Sequence, residues 1–177
     1  GNIFSATGGA FPPSTIPNVP SPYWNGRTSN GLLWVEYLAD ELGLDPTPAF
    51  NPSLPADGAN FAFNGATTGS ENTTDDQPQF PDGSFPGLQQ QLGAFIAPLL
   101  ASGQSANSDA LYVLWAGAND YLGGGQTDPT IPVTNLSNTV ATLHGFGARN
   151  FLVLNLPRLG ETPRAGFNPF GTPFDPD

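Results

Sequence analysis

Three segments with helix-spaced apolar residues take turns with three short, unbroken apolar runs, and this order leaves few folds open. In the first segment, 31–42, Leu32, Val35, Leu38, Ala39 and Leu42 share one face. Ser29 or Asn30 can cap its start, and Gly43 stops it. The second, 87–102, repeats Leu88, Leu92, Phe95, Ile96, Leu99 and Leu100, with Pro98 placed to kink it. The third carries Leu136, Val140 and Leu143 behind a cap at Thr134 or Asn135. The runs Ala59–Phe63, Leu111–Trp115 and Phe151–Leu154 read as strands, the second of them buried by its continuous apolar character. Helix before strand, three times over, predicts an α/β domain: one parallel sheet covered on both faces, within a single domain over 1–177.

The connections are long. The chain has 22 Gly and 20 Pro, and these cluster between the periodic segments, as loops on a scaffold do. Residues 1–30 and 45–58 read as such loops, as does the chain from 161 onward. The stretch 70–86, SENTTDDQPQFPDGSFP, is the most polar part and reads as a lid, linker or insertion. Fifteen acids face four arginines and no lysine, for a net charge of −11. That balance argues against a nucleic-acid partner, whose phosphates need a basic footprint, and against anionic membrane surfaces. No run reaches the roughly 20 apolar residues of a membrane-spanning helix. The absence of cysteine removes thiolate ligands and cysteine nucleophiles together.

In open parallel sheets ligands bind beyond the carboxyl ends of the strands. Each predicted strand ends in a small polar motif: Asn64-Gly65, Gly117-Ala118-Asn119-Asp120, and Asn155-Leu156-Pro157. If the strands are parallel, the three motifs share one edge, and a site is expected there. Other signals carry less. Gly123-Gly124-Gly125 lacks the Lys-Ser/Thr of a phosphate loop and reads as a flexible turn. Asp75-Asp76 reads as a solvated pair, with no cation-ligand pattern around it, and Glu36 and Asp40 as an ordinary solvent face. No cofactor is implied. His144, the single histidine, falls near the C-terminal end of the third helix. It therefore belongs to the opposite edge of the sheet from the three motifs, which favours a structural role.

The same motifs resemble a known family. Gly117-Ala118-Asn119-Asp120 after an apolar strand is similar to the third block of the GDSL esterases/lipases, the SGNH hydrolases. Asn60-Phe61-Ala62-Phe63-Asn64-Gly65-Ala66 resembles their second block, commonly Asn-Phe-Ala-x-Gly-Gly-Ala. Asn155-Leu156-Pro157-Arg158-Leu159-Gly160-Glu161-Thr162-Pro163 resembles the segment after their fourth strand. The run from Arg27 to Leu42 also fits, and Gly1-Asn2-Ile3-Phe4 looks like the residues directly after their Gly-Asp-Ser-Leu nucleophile block. The resemblance implies a flavodoxin-like three-layer sandwich and a serine ester hydrolase. Asn119 would donate its side-chain amide, and Gly65 its backbone N–H, to the tetrahedral oxyanion. Where the family's second block has its first glycine this chain has Asn64, a residue that tolerates left-handed backbone better than most.

Two blocks of the pattern are missing from residues 1–177. No serine stands in a Gly-Asp-Ser context, Ser5 included, and no Asp-x-x-His occurs near Asp177. The expectation is therefore a piece of the fold, incomplete at both ends and inactive alone, with nucleophile and base beyond Gly1 and Asp177. The alternative is a non-catalytic binding module on the same fold. The implied substrate is a small-molecule, lipid or acylated-carbohydrate ester, and family habit leans towards an extracellular or periplasmic setting. Tyr23, Trp24 and Phe80 are candidates for lining the pocket. Removing the strand that leads into the nucleophile would leave buried backbone groups unpaired. Residues 1–177 expressed alone should then unfold at low temperature without a sharp transition; a cooperative melt at high temperature would refute this.

Overall fold

The computed structural model describes residues 31–44, 47–48, 58–73 and 85–162. Expectations for Ser5, Ser29, Asn30, Tyr23, Trp24, Asp75, Asp76 and Phe80 lie outside the described residues, as do 74–84 of the polar stretch and the chain from 163 on. The chain divides into two compact units. One is Gly1–Gly65 with Thr74–Phe85; the other is Ala66–Thr73 with Pro86–Asp177.

In the first unit helix α1 spans Trp34–Glu41. The Glu36 side chain reaches back and accepts the Leu33 N–H at 2.7 Å, tying down one of the donors that a helix start leaves without a partner. Strands β1 (Thr47–Pro48) and β2 (Ala59–Asn60) pair in parallel, Thr47 beside Ala59 and Pro48 beside Asn60. The predicted strand 59–63 is thus two residues long. Asn60 Oδ1 accepts the Ala62 N–H at 2.9 Å, and this local turn diverts the backbone from the ladder. Phe63 is buried beside Phe85, ring centroids 6.3 Å apart.

The second unit holds α2 (Leu88–Ser102), β3 (Leu111–Leu114), α3 (Ala118–Leu122), α4 (Thr130–Gly145), β4 (Asn150–Val153) and a 3₁₀ turn at Leu159–Glu161. Strands β3 and β4 are parallel, with Leu111 beside Asn150 and Leu114 beside Val153. Ala106, Leu114, Leu143 and Ala148 form the buried centre. Leu88, Leu92, Phe95 and Leu99 of α2 pack on it, with Val140 of α4 and the aromatics Tyr112, Phe146 and Phe151. Phe95 meets Tyr112 edge-on at 5.9 Å, and Tyr112 meets Phe151 at 5.8 Å. Burial pushes the Tyr112 phenol above its ordinary pKa, and its hydroxyl donates to the Asn107 carbonyl at 2.9 Å.

Two further expectations need correction. The strand Leu111–Trp115 is not buried throughout: Leu111 and Trp115 are about half exposed, at 47% and 51%, and only Leu114 is buried. Side chains alternate across a strand, so Tyr112, Leu114 and Phe151 turn to the helices while Leu111 and Leu152 lie on the other, exposed face. An unbroken apolar run does not by itself mean that both faces are covered. Second, α4 begins at Thr130, a turn before the predicted caps. Pro129 is the N-cap, and Asp128 just before it ties down the start: its Oδ1 accepts the Thr130 N–H at 2.9 Å and the Thr130 hydroxyl at 2.7 Å. These bonds hold its carboxyl below the ordinary range. Pro132 falls in the first turn, where no N–H is required. The helix predicted over 87–102 is found as α2, with Pro98 inside it and its end at Ser102.

The start of α2 is the tightest joint in this unit. Gly87, Leu88 and Gln89 donate their N–H groups to the carbonyls of Ser70, Thr67 and Gly69 at 3.3, 3.0 and 3.1 Å. A Cβ on Gly87 would overlap the Gly69 carbonyl and stand 2.6 Å from Ser70 C and 2.7 Å from Glu71 O, all backbone atoms that cannot swing aside. Gly87→Ala should therefore lower stability by roughly 1–3 kcal/mol, read as a shifted denaturation midpoint; an unchanged midpoint would show that this joint yields.

Candidate active site

The loop Ala66–Thr73 is closed on itself before anything else touches it. Ala66 bridges to Asn72, and Glu71 O accepts both the Thr67 N–H at 3.0 Å and the Thr67 hydroxyl at 2.8 Å. Ala66, Thr67, Thr68 and Asn72 are all buried. A buried polar loop must have its groups satisfied, and here the partners come from α2, α3 and α4.

Helix α3 supplies two of them from adjacent residues. Asn119 Nδ2 donates to the Ala66 carbonyl at 2.9 Å. The Asp120 carboxylate, itself buried, accepts the Thr68 N–H on both oxygens, at 2.9 and 3.2 Å, and the Thr68 hydroxyl at 2.5 Å. On the far side of Thr68, Asn135 Nδ2 donates to the hydroxyl oxygen at 3.1 Å and Gln89 Nε2 to the carbonyl at 2.9 Å. Gln89 also reaches Thr139 Oγ1 at 3.2 Å, and that hydroxyl donates to Asn135 O at 2.8 Å. Every polar atom of Thr68 is occupied, although the residue is wholly buried. The Asp120 carboxylate finds its partners in N–H and O–H groups of Thr68 rather than in an arginine.

α3 is placed by its ends. Gly117 precedes it with φ +123°, a value that side chains rarely permit. A Cβ there would come within 3.2 Å of Leu156 Cδ1. The motif after β4 thus lies against the motif after β3, as parallel strands require. At the other end Gly123 and Gly124 donate to the Asn119 carbonyl at 3.1 and 2.8 Å, and Gln126 to the Asp120 carbonyl at 2.8 Å. The triple glycine, read as a flexible turn, is a hydrogen-bonded stop, with Thr73 so close that a Cβ on Gly123 would lie 2.6 Å from its methyl.

Asn119, the second residue of α3, is half-buried. A carboxamide carries two N–H donors; one is spent on Ala66, and no hydrogen bond engages the other among the described residues. Gly65, in the first unit, is buried with φ +79°, and it immediately precedes Ala66 in the chain. His144 lies exposed in the last turn of α4, its carbonyl accepting from Arg149 at 2.9 Å. It is nine residues beyond Asn135, about 13 Å along the helix axis, and its turn precedes β4 rather than following it. No group of His, Cys, Asp and Glu among the described residues could hold a metal ion.

Residues 4–176 match the family model described as GDSL-like lipase/acylhydrolase. The chain belongs to that family. The GDSL fold is α/β, and the helices and parallel strand pairs agree with a flavodoxin-like sandwich. Among relatives, a phosphatidylcholine-sterol acyltransferase of Aeromonas hydrophila is 31% identical over 85% of the chain and 40% of its own length. An acetylesterase of Thermothelomyces thermophilus is 30% identical over 95% of the chain and 55% of its length. A GDSL esterase/lipase of Arabidopsis thaliana is 31% identical over 92% of the chain and 50% of its length. The chain spans about half the length of these relatives, or less. No helix among the described residues is long and apolar enough to cross a membrane.

Asp120 was visible in sequence as the neighbour of Asn119, but Thr68, Gln89 and Thr139 carried no signal, and Asn135 was read only as a helix cap. Thr68 and Asp120 are 52 positions apart, and nothing in either neighbourhood names the other. Gly117→Ala forces a Cβ into a positive-φ position and should destabilise by about 1–3 kcal/mol. Adding Leu156→Ala removes the contact without relieving the backbone, so the double variant should melt no higher than Gly117→Ala; recovery to the parent midpoint would place the cost in the contact instead.

Proposed function

We propose that this chain provides the oxyanion-stabilising part of a serine ester hydrolase, with Asn119 and Gly65 as the donors. The observation that carries the proposal is the orientation of the Asn119 amide. One N–H is fixed on a buried backbone carbonyl, which leaves the other aimed by a rigid frame rather than by a rotating side chain. A donor held before the reaction needs no reorganisation when negative charge develops, and this is where such groups gain most. Gly65 is assigned by the block resemblance and by its place next to Ala66 in the chain.

In the proposed reaction a serine oxygen attacks the ester carbonyl and its proton passes to a histidine. The carbonyl oxygen becomes the oxyanion and accepts from Asn119 Nδ2 and the Gly65 N–H. Collapse expels the alcohol, which leaves with the proton, and water then releases the acyl group as a carboxylic acid. Neither serine nor histidine is assigned within residues 1–177: no serine stands in a Gly-Asp-Ser context, and His144 lies in the last turn of α4, nine residues beyond Asn135. The chain by itself is accordingly proposed to be inactive. The substrate class is a small-molecule, lipid or acylated-carbohydrate ester; the names of the relatives, an acetylesterase and a sterol acyltransferase, support acyl transfer from esters in general.

In the full gene product, Asn119→Ala should cut kcat on p-nitrophenyl acetate by roughly 100- to 1000-fold with little change in KM, the loss typical of one oxyanion donor. Turnover that survives the substitution would remove Asn119 from the reaction. A parent protein that turns over no ester would favour the binding-module reading instead.

A further inference from the structure

We propose that Asp120 and Thr68 are positioning residues, forming with Asn119 a two-point clasp that sets the direction of the Asn119 amide. The inference rests on the proposed role of Asn119 and adds the means by which it is aimed. Residues 119 and 120 are adjacent on α3, and they grip residues 66 and 68 of one loop. One bond alone would let the loop pivot about the Asn119–Ala66 contact. Two attachments, from neighbouring residues of the helix to nearby residues of the loop, fix both distance and rotation, so the Ala66 carbonyl presents one lone pair to Nδ2 and the second N–H has one direction left. The chemistry of the second attachment suits a rigid joint. The Asp120 carboxylate takes three contacts from Thr68, and Asn135 and Gln89 hold Thr68 from behind. Asp120 and Thr68 are 6% and 0% exposed, so water does not compete for these bonds.

The variants are Thr68→Val, which keeps the shape and backbone N–H but removes the hydroxyl, Thr68→Ser, which restores it, and Asp120→Asn, which exchanges an acceptor for a donor facing Thr68. Each is made in the full gene product and, for Thr68→Val, also on Asn119→Ala. Turnover of p-nitrophenyl acetate is measured per folded molecule. Small displacements of a reacting group cost up to about 100-fold, so Thr68→Val and Asp120→Asn should lower kcat by about 10- to 100-fold with KM near the parent value, and Thr68→Ser should recover most of it. Residues that act as one unit are strongly non-additive; Thr68→Val should therefore slow Asn119→Ala by less than about twofold. A full multiplicative loss on that background, or a loss that only follows the unfolded fraction, would overturn the clasp and leave Asn119 in place. An active Asn119→Ala would bring down the oxyanion assignment and the clasp with it. A second readout does not depend on turnover. The Asn119 side-chain amide should show one slowly exchanging proton in the parent, and that protection should vanish in Thr68→Val; an unchanged spectrum counts against the clasp.

Discussion

The bond between the Asp120 carboxylate and Thr68 is the constraint on which the rest of the second unit turns. A buried carboxylate without partners is costly, on the order of several kcal/mol. Asp120 avoids that cost only if the loop 66–73 delivers a backbone N–H and a hydroxyl to it. The loop in turn can do so only when its own carbonyls are taken by the start of α2 and by Gln89. Helix, loop and site are thus satisfied together or not at all. The consequence is cooperative: groups that would be liabilities singly become each other's partners, which is how a polar interior stiffens a structure.

This arrangement accounts for the small residues around it. Gly87 lets α2 approach the loop closely enough for its first N–H groups to reach the carbonyls, and Gly117 lets the chain turn from β3 into α3 under Leu156. Both serve one end. At Gly87 backbone surfaces come within hydrogen-bonding range where a Cβ would hold them apart, and at Gly117 the backbone takes a φ that a Cβ disfavours. In the proposed function, a donor carried by such a frame would face a developing charge without first being ordered.

Much of the scaffold was legible. The helical spacing over 87–102 appears as α2, and Leu111 and Phe151 open and enter strands that pair in parallel as the alternation required. Asn119 stood out because a carboxamide follows an apolar strand. Three readings failed for local reasons: Asn60 bends the chain after two strand residues, Asp128 starts α4 before the periodic residues begin, and one face of β3 stays open. In each case a short side chain bonded to nearby backbone, or the layer above the strand was missing among the described residues, and hydrophobic periodicity reports neither.

The order of the three periodic helices and the apolar runs between them, the polar motifs at the strand ends and membership of the GDSL family were determined by the sequence itself, because each of these is written in neighbouring residues; the short α3 and β1 were not. Only the tertiary structure decided the partner of each buried polar group. Thr68, Gln89 and Thr139 are unremarkable in their own stretches and Asn135 reads only as a cap, and they join one network with Asp120 through Thr68 only because α2, α3 and α4 converge on one loop. A hydrogen bond is specific to within a few tenths of an ångström, and such distances between residues 50 or more positions apart exist only once the chain has closed.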